Sequence, residues 1–439
     1  MTTRNILALA ADSQFGRLHG VVLFWCFLIL VLDGYDLAVA GAALPAIMED
    51  MGVTAATAGF MASSALFGMM FGAMGLGAVA DKIGRRWTLS LCVFFFSVFT
   101  AAAGMTDDPY TFSLMRFLAG VGIGGAIPNA AAQMTEYAPM RMRAFMVTLM
   151  CCGYAVGSML AAILGKQFIA AYGWEIVFLA AGAPVVLIPF IMLYLPESPT
   201  FLLKKQDQAT LRSIARRLRP DMTIDDSTQF ELPATPVSST AGMAALFRDG
   251  RGLGTVMLWV AYITGLFMLY ALSSWLVKLM SLAGYSLGSA LNFLLAYNIG
   301  AIVGAIGGGW LADRFSMKWV SVSMCAAAMV SLVALGYGVQ PLFLVVAVVG
   351  ASTLGMQILL YAYAAQYYPP ELRSVGMGFA SGMGRIGAIA APIIIGVLVS
   401  LELPLRQNFM VIALAAVITG VAVALVNQKP AAQPAVVLD

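Results

Sequence analysis

"GAVADKIGRR" (residues 77–86) ends one long apolar run, and "GWLADRFSMK" (309–318) ends another. Gly77 aligns with Gly309 and Asp81 with Asp313, an offset of 232 residues. At the next polar break of each half, "EYAPMRMRA" (136–144) matches "QYYPPELRS" (366–374) at an offset of 230. Two matches at nearly one offset mark an internal duplication. The chain is built from two related halves.

Composition names the solvent those halves face. Of 439 residues, 61% are hydrophobic and 10% charged, with a mean hydropathy of +0.90. Soluble domains carry about 25% charged residues, so this surface is made for lipid. Runs long enough to cross a bilayer as helix fall at 21–45, 56–80, 87–104, 110–135, 144–170 and 175–195. They resume at 253–280, 288–312, 319–338, 341–365, 374–399 and 405–426. Each exceeds the reach of a membrane strand. The expected fold is therefore an all-α integral membrane protein with twelve transmembrane helices in two pseudo-symmetric six-helix bundles. The boundaries are 1–195 for the N-terminal bundle, 196–252 for a cytoplasmic linker and 253–439 for the C-terminal bundle.

Charge sets the orientation. Nineteen of the 24 Lys and Arg fall on the side of the N-terminus, the even-numbered loops and the C-terminus. Only Lys166, Lys278 and Arg406 fall opposite, so both termini are expected in the cytoplasm. The N-terminal "ILALAA" is too short for a secretory signal core, which leaves the first span as the entry signal. The linker segment "KKQDQATLRSIARRLRPDMTIDD" reads either as an amphipathic helix at the lipid headgroups or as a solvated linker held inside by its charge. Nothing in it points to nucleic acid. The five cysteines lie in apolar runs without metal-ligand spacing and read as packing residues. HExxH, GxSxG and nucleotide-loop patterns are absent in context, which gives an enzyme reading little support, and no cofactor or metal is expected.

Several stretches carry a resemblance. "GAVADKIGRR" resembles the cytoplasmic signature of the major facilitator superfamily, with its weaker copy at 309–318. "RFLAGVGIGG" (116–125) is similar to that superfamily's fourth-helix motif and "LPESPTFLL" (195–203) to its sixth-helix exit. More narrowly, "LDGYDLAVAGAALP" (32–45), "SALFGMMFGA" (64–73), "MTEYAP" (134–139) and "GYAVGSML" (153–160) resemble the aromatic acid:proton symporters, most of all the benzoate transporters. The resemblance implies the twelve-helix transporter fold, a central site and alternating access. It also implies a cytoplasmic latch at Gly77, Asp81, Gly84, Arg85 and Asp313. Gly77 would allow close helix approach and Gly84 a tight turn. Asp81 would face a helix N-terminus. Lys82, Arg85 and Arg86 also serve as positive-inside anchors. In the second copy Ser316 and Met317 replace the glycine and first arginine, so that latch is expected to be weaker. Gly153-x-x-x-Gly157 is not followed by the proline of drug antiporters and reads as packing.

The remaining signals are charges inside spans. Of 21 acidic residues, only Asp33 and Asp36 lie deep within one. Three residues apart, they share a helix face. Such residues are costly in lipid and mark function. A single aspartate could tie helices together, whereas two repel each other, which suits uptake and release of a proton. Arg116, on the fourth span, falls at a depth similar to Asp36 and is the expected partner, either in proton coupling or as a structural ion pair. Arg385 lies near the middle of the eleventh span, where its planar fork suits a substrate carboxylate or a helix tether. Tyr35, Phe67, Asn129, Tyr270, Trp275, Asn298, Gln357 and Tyr361 are candidates to complete a pocket, each with core packing as the alternative. Lys278 sits near the outer mouth, snorkelling or attracting anions. His19, the only histidine, is shallow and reads as structural.

These readings converge on a bacterial inner-membrane symporter importing an aromatic carboxylate with protons, in the lipid bilayer and as a monomer. Benzoate comes first and hydroxybenzoates second. A proton-coupled exporter of drugs or aromatic metabolites is the main alternative, and a transporter-like receptor for aromatic acids a weaker one.

Overall fold

The computed structural model describes residues 3–220, 222, 224–225, 228–231, 243–248, 250–369 and 372–426. The linker piece "LPATPVSST" lies outside them. The chain divides into two compact units, Met1–Val53 with Phe60–Pro236, and Thr54–Gly59 with Val237–Asp439.

Twelve spans among the described residues are long and apolar enough to cross a membrane, as the sequence predicts. In the first unit a short helix α1 (Ile6–Ala11) precedes α2 (Arg17–Asp50), α3 (Ala55–Ile83, its residues to Gly59 counted with the second unit), α4 (Arg85–Ala103), α5 (Pro109–Tyr137) and α6 (Arg143–Tyr172). The sixth span differs from expectation. It is α7 (Glu175–Ala180), a 3-10 segment at Ala183–Leu187 and α8 (Ile188–Tyr194). Pro184 and Pro189 withhold two amide donors here, so the α-helical ladder cannot run through. The linker begins with α9 (Pro199–Lys204) and α10 (Gln208–Leu218). The second unit continues with α11 (Gly252–Leu282), α12 (Leu287–Arg314), α13 (Met317–Gly336), α14 (Leu342–Tyr367), α15 (Arg373–Ser400) and α16 (Leu405–Leu425).

Helix ends are set by local chemistry. Asp108 caps α5 through the Thr111 amide (2.8 Å), with Pro109 as the first helical residue. The Thr111 amide and hydroxyl hold the Asp108 carboxyl below the usual carboxylate range. At the start of α2, His19 Nδ1 accepts the Gly16 amide (3.0 Å), so the ring proton sits on Nε2. It is placed to donate to Ser13 Oγ (2.9 Å), which donates to Ala10 O (2.6 Å). The imidazole is a neutral clasp between α1 and α2.

The duplication is visible in how helices cross. A Cβ at Gly72 of α3 would collide with the Val121 backbone of α5, and one at Gly304 of α12 with the Ala351 backbone of α14. Those partners stand 232 and 230 residues apart, the two offsets of the sequence repeat. The same holds where Gly157 of α6 meets Val31 of α2 and Gly387 of α15 meets Ile263 of α11. With lipid for solvent, such backbone-to-backbone packing does much of the work of holding helices together. Gly77 and Gly309 do not share this role. Within their own units, a Cβ there would meet nothing within 4 Å.

The linker helix also departs from one of its two readings. Leu211, Ile214, Ala215 and Leu218 form one face of α10, and all are buried. That face packs on α1, the "ILALAA" segment. A two-residue parallel pairing of β1 (Thr3–Arg4) with β2 (Gln229–Phe230) ties the same regions together. The apolar stripe is consumed inside the protein and is not left for lipid.

At the same end, Gly84 turns the chain between α3 and α4 with φ +97°, a conformation that favours glycine. Glu197 Oε1, from "LPESP", accepts the Arg85 (2.8 Å), Arg86 (3.2 Å) and Ser198 (2.8 Å) amides. Arg85 pairs with Glu136 at 2.7 Å, and the Tyr137 hydroxyl donates to Glu197 O (2.6 Å). Asp81 lies outside this knot, on the exposed Lys204 (3.2 Å). In the second unit Ser316 starts α13 without a side-chain cap. The Asp313 side chain is outside the described residues.

Glu197→Ala removes a part-buried carboxylate from two amides at the start of α4. Its expected cost is about 2 kcal/mol, the range of hydrogen bonds to charged groups. Asp81→Ala, at an exposed pair, should cost little. Thermal unfolding of the two variants in detergent checks the order; a larger loss from Asp81→Ala would contradict it.

Candidate functional site

In the first unit the deep charges come together. Asp33 and Asp36 stand one turn apart on α2, fully buried. Arg116, from α5, is 1% exposed and spends its guanidinium on two neighbours. Nη1 reaches Asp36 Oδ2 (3.2 Å) and Thr100 Oγ1 of α4 (2.6 Å), and Nη2 donates to Asp36 O (3.0 Å). Its Cζ lies 5.8 Å from the Phe178 ring centroid. Asp36 Oδ1 has no hydrogen-bond partner among the described residues. The pair is thus half-satisfied: one carboxylate oxygen is bound and the other is available for a proton.

Local packing explains why α2 can carry this site. A Cβ at Gly34, between the two aspartates, would collide with the Tyr154 backbone of α6. That crossing presses one side of α2 against α6. The Tyr35 hydroxyl donates to Val177 O of α7 at 2.7 Å. Tyr35 is therefore engaged at its polar end, although the sequence offered it to a pocket. Phe67 is half-buried on α3. Asn129 Nδ2 bonds back to Gly125 O (2.8 Å) on its own helix.

The second unit holds the other candidates. Arg385 is half-buried on α15, between Gly384 and Gly387, the residues at which α15 closes on α11. Tyr262 of α11 meets Tyr361 of α14 edge to face at 5.2 Å, and its hydroxyl donates to Leu360 O (3.3 Å). Gln357, one turn before Tyr361, is 2% exposed, and neither amide atom has a hydrogen-bond partner among the described residues. Gln357 lies ten residues before the end of α14, and Arg385 twelve after the start of the antiparallel α15. At 1.5 Å per residue they stand at levels of about 15 and 18 Å, within a turn of each other. Trp275 and Asn298 are committed elsewhere, Trp275 Nε1 to Pro392 O (3.0 Å) and Asn298 Nδ2 to Leu294 O (2.8 Å). Tyr270 is buried and Lys278 half-buried, both on α11.

Three residues escaped the sequence reading: Thr100, Glu136 and Glu197. Thr100 carries no signal in an apolar run. Glu136 and Glu197 lie within "MTEYAP" and "LPESP", stretches that stood out by the internal repeat or by resemblance and not by any charge inside a span.

A Major Facilitator Superfamily model matches residues 26–359 and 293–437. A benzoate transport protein of Acinetobacter baylyi is 40% identical over 98% of this chain and 94% of its own length. A gallate transporter of Pseudomonas putida is 34% identical over 92% of this chain and 90% of its own. Among solved structures, a bacterial homologue of the human lysosomal transporter Spinster shares the fold with a TM-score of 0.73 at 18% identity, covering 94% of this chain and 98% of its own. The xylose transporter XylE of E. coli also gives 0.73, at 15% identity over 94% and 98%. These relatives are transporters and not enzymes, and the chain belongs with them to the Major Facilitator Superfamily.

Proposed function

We propose that this protein is a proton-coupled symporter that imports aromatic carboxylates of the benzoate or hydroxybenzoate type across the bacterial inner membrane, both termini cytoplasmic. The observation that carries this reading is the buried Asp36–Arg116 pair, with Asp33 one turn away. A buried ion pair adds little net stability over apolar packing, so its retention in lipid asks for another use, and proton transfer supplies one. Support for the substrate class comes from the benzoate and gallate relatives and from Arg385, a cation suited to a carboxylate.

In this mechanism a proton taken up by the Asp33/Asp36 pair removes negative charge and favours entry of the anion. Arg385 holds its carboxylate, and aromatic side chains such as Tyr361 flank the ring. The bundles at 1–195 and 253–439, joined through 196–252, then expose the loaded site to the cytoplasm. Loss of the proton favours release. The protein works as a monomer. The exporter alternative predicts efflux of uncharged or cationic compounds with Arg385 dispensable.

Purified protein in liposomes should accumulate benzoate when the exterior is made acidic. Asp36→Asn should lower that gradient-driven uptake by about a hundredfold or more, the size of one lost proton-transfer step. Retention of full gradient-driven uptake by this variant would remove the coupling assignment.

Arg385→Lys keeps the charge and loses the fork. Its KM for benzoate should rise by roughly tenfold, the loss of one bidentate contact, and Arg385→Ala should raise it further. Unchanged KM values in both would turn the assignment towards the exporter.

A further inference from the structure

The polar end of Tyr35 and the Arg116–Phe178 contact lead to the same place, the break in the sixth span. At the end of α7 the chain tightens: the Ala181 amide bonds Phe178 O (3.1 Å) and the Gly182 amide bonds Leu179 O (2.9 Å). These i→i−3 bonds deprive Val177 O of the amide that an unbroken helix would supply. The Tyr35 hydroxyl takes that place from another helix, at 2.7 Å. The next residue, Phe178, offers its ring to the Arg116 guanidinium. α7 also lies close on the end of α4, where a Cβ at Gly104 would collide with the Phe178 side chain, and just past α7 one at Gly182 would come within 2.9 Å of the Ala101 side chain. Residues 35 and 36 of α2 thus hold both Arg116 and, through adjacent residues, the last turn of α7.

We propose that the broken sixth span is the element that responds to the charge state of Asp36, and that Tyr35 is the positioning residue that transmits it. The proposal rests on the reading that Asp36 gains and loses a proton. With Asp36 ionised, Arg116 draws α2 and α5 together through Oδ2. A proton on Asp36 removes the ionic part of that attraction and leaves Arg116 with Thr100, the Asp36 carbonyl and the Phe178 ring. α2 can then shift against α5. Val177 O, whose partner is on α2, follows. The 3-10 segment at Ala183–Leu187 absorbs the displacement, because its poorer hydrogen bonds, Pro184 within it and Pro189 just after it make this stretch softer than an intact helix. The proton is thereby coupled to a backbone segment in the sixth span.

Hydrogen–deuterium exchange of the full-length protein in detergent at one pH tests this, with Asp36→Asn standing in for the protonated aspartate. Amides of 177–188 should exchange about fivefold faster in Asp36→Asn than in the wild type, a local opening. In the Tyr35→Phe background the same Asp36→Asn change should alter them less than about twofold. No acceleration in Asp36→Asn, or an equal one without the Tyr35 hydroxyl, overturns the proposal. A second measurement serves if Asp36→Asn does not fold. In liposomes, Tyr35→Phe should lower gradient-driven benzoate uptake about fivefold, while benzoate counterflow without a gradient stays within about twofold of the wild type. Equal losses in both assays mean a structural role only and overturn the proposal, as do unchanged values. Wild-type uptake that ignores the gradient would refute the symport reading, whereas the exchange comparison, which needs no transport, would still decide the link between Asp36 and the sixth span.

Discussion

A guanidinium without water must find its acceptors in the protein, and in the first unit that requirement fixes three helices at once. Removing an ion from water costs several kcal/mol even after relaxation. Arg116, from α5, meets that cost with the Asp36 carboxylate, the Asp36 carbonyl and the Thr100 hydroxyl. These groups come from α2 and α4, so the three helices can pack only in the register that brings them together. The α2–α6 crossing at Gly34 and Gly157 fixes α2 from its other side. Within this frame one oxygen of the Asp36 carboxylate is left without a hydrogen-bond partner among the described residues.

Rarity made this cluster legible. Charges inside apolar runs are few, and Asp33, Asp36, Arg116 and Arg385 stand out by that fact alone. The acids at span ends have no such contrast. Glu136 and Glu197 look like ordinary loop charges, and their importance lies in which amides and guanidinium they meet, which only the folded chain decides. The break in the sixth span was written in "AGAPVVLIP", yet the run is so apolar that hydropathy outweighed its prolines. For α10 the amphipathic pattern was plain. What it could not reveal was the surface covering the apolar face, because α1 and a lipid interface satisfy the same pattern.

The duplication shows which features the two halves need in common. Crossings are repeated almost residue for residue, Gly72 with Gly304 and Gly157 with Gly387. Backbone approach in lipid has few other solutions, so that part of the design is shared. The charges inside the spans are not repeated. At the repeat offsets Arg385 falls on Ala155, and Asp36 falls on Met268 or Leu266. Each half keeps the scaffold and carries a different ion.

That division has a physical logic. A carboxylate able to change charge and a cation meant for a carboxylate would neutralise each other if placed on one helix face. In the sequence they sit in separate halves of one duplicated scaffold. The aspartate has its own arginine in Arg116, and that arginine is largely occupied by Asp36 and Thr100. Arg385 need not serve as the counterion of Asp36, because the first unit already supplies one. The proposed acid-dependent import of an anion asks for both groups, and the sequence supplies them in different halves.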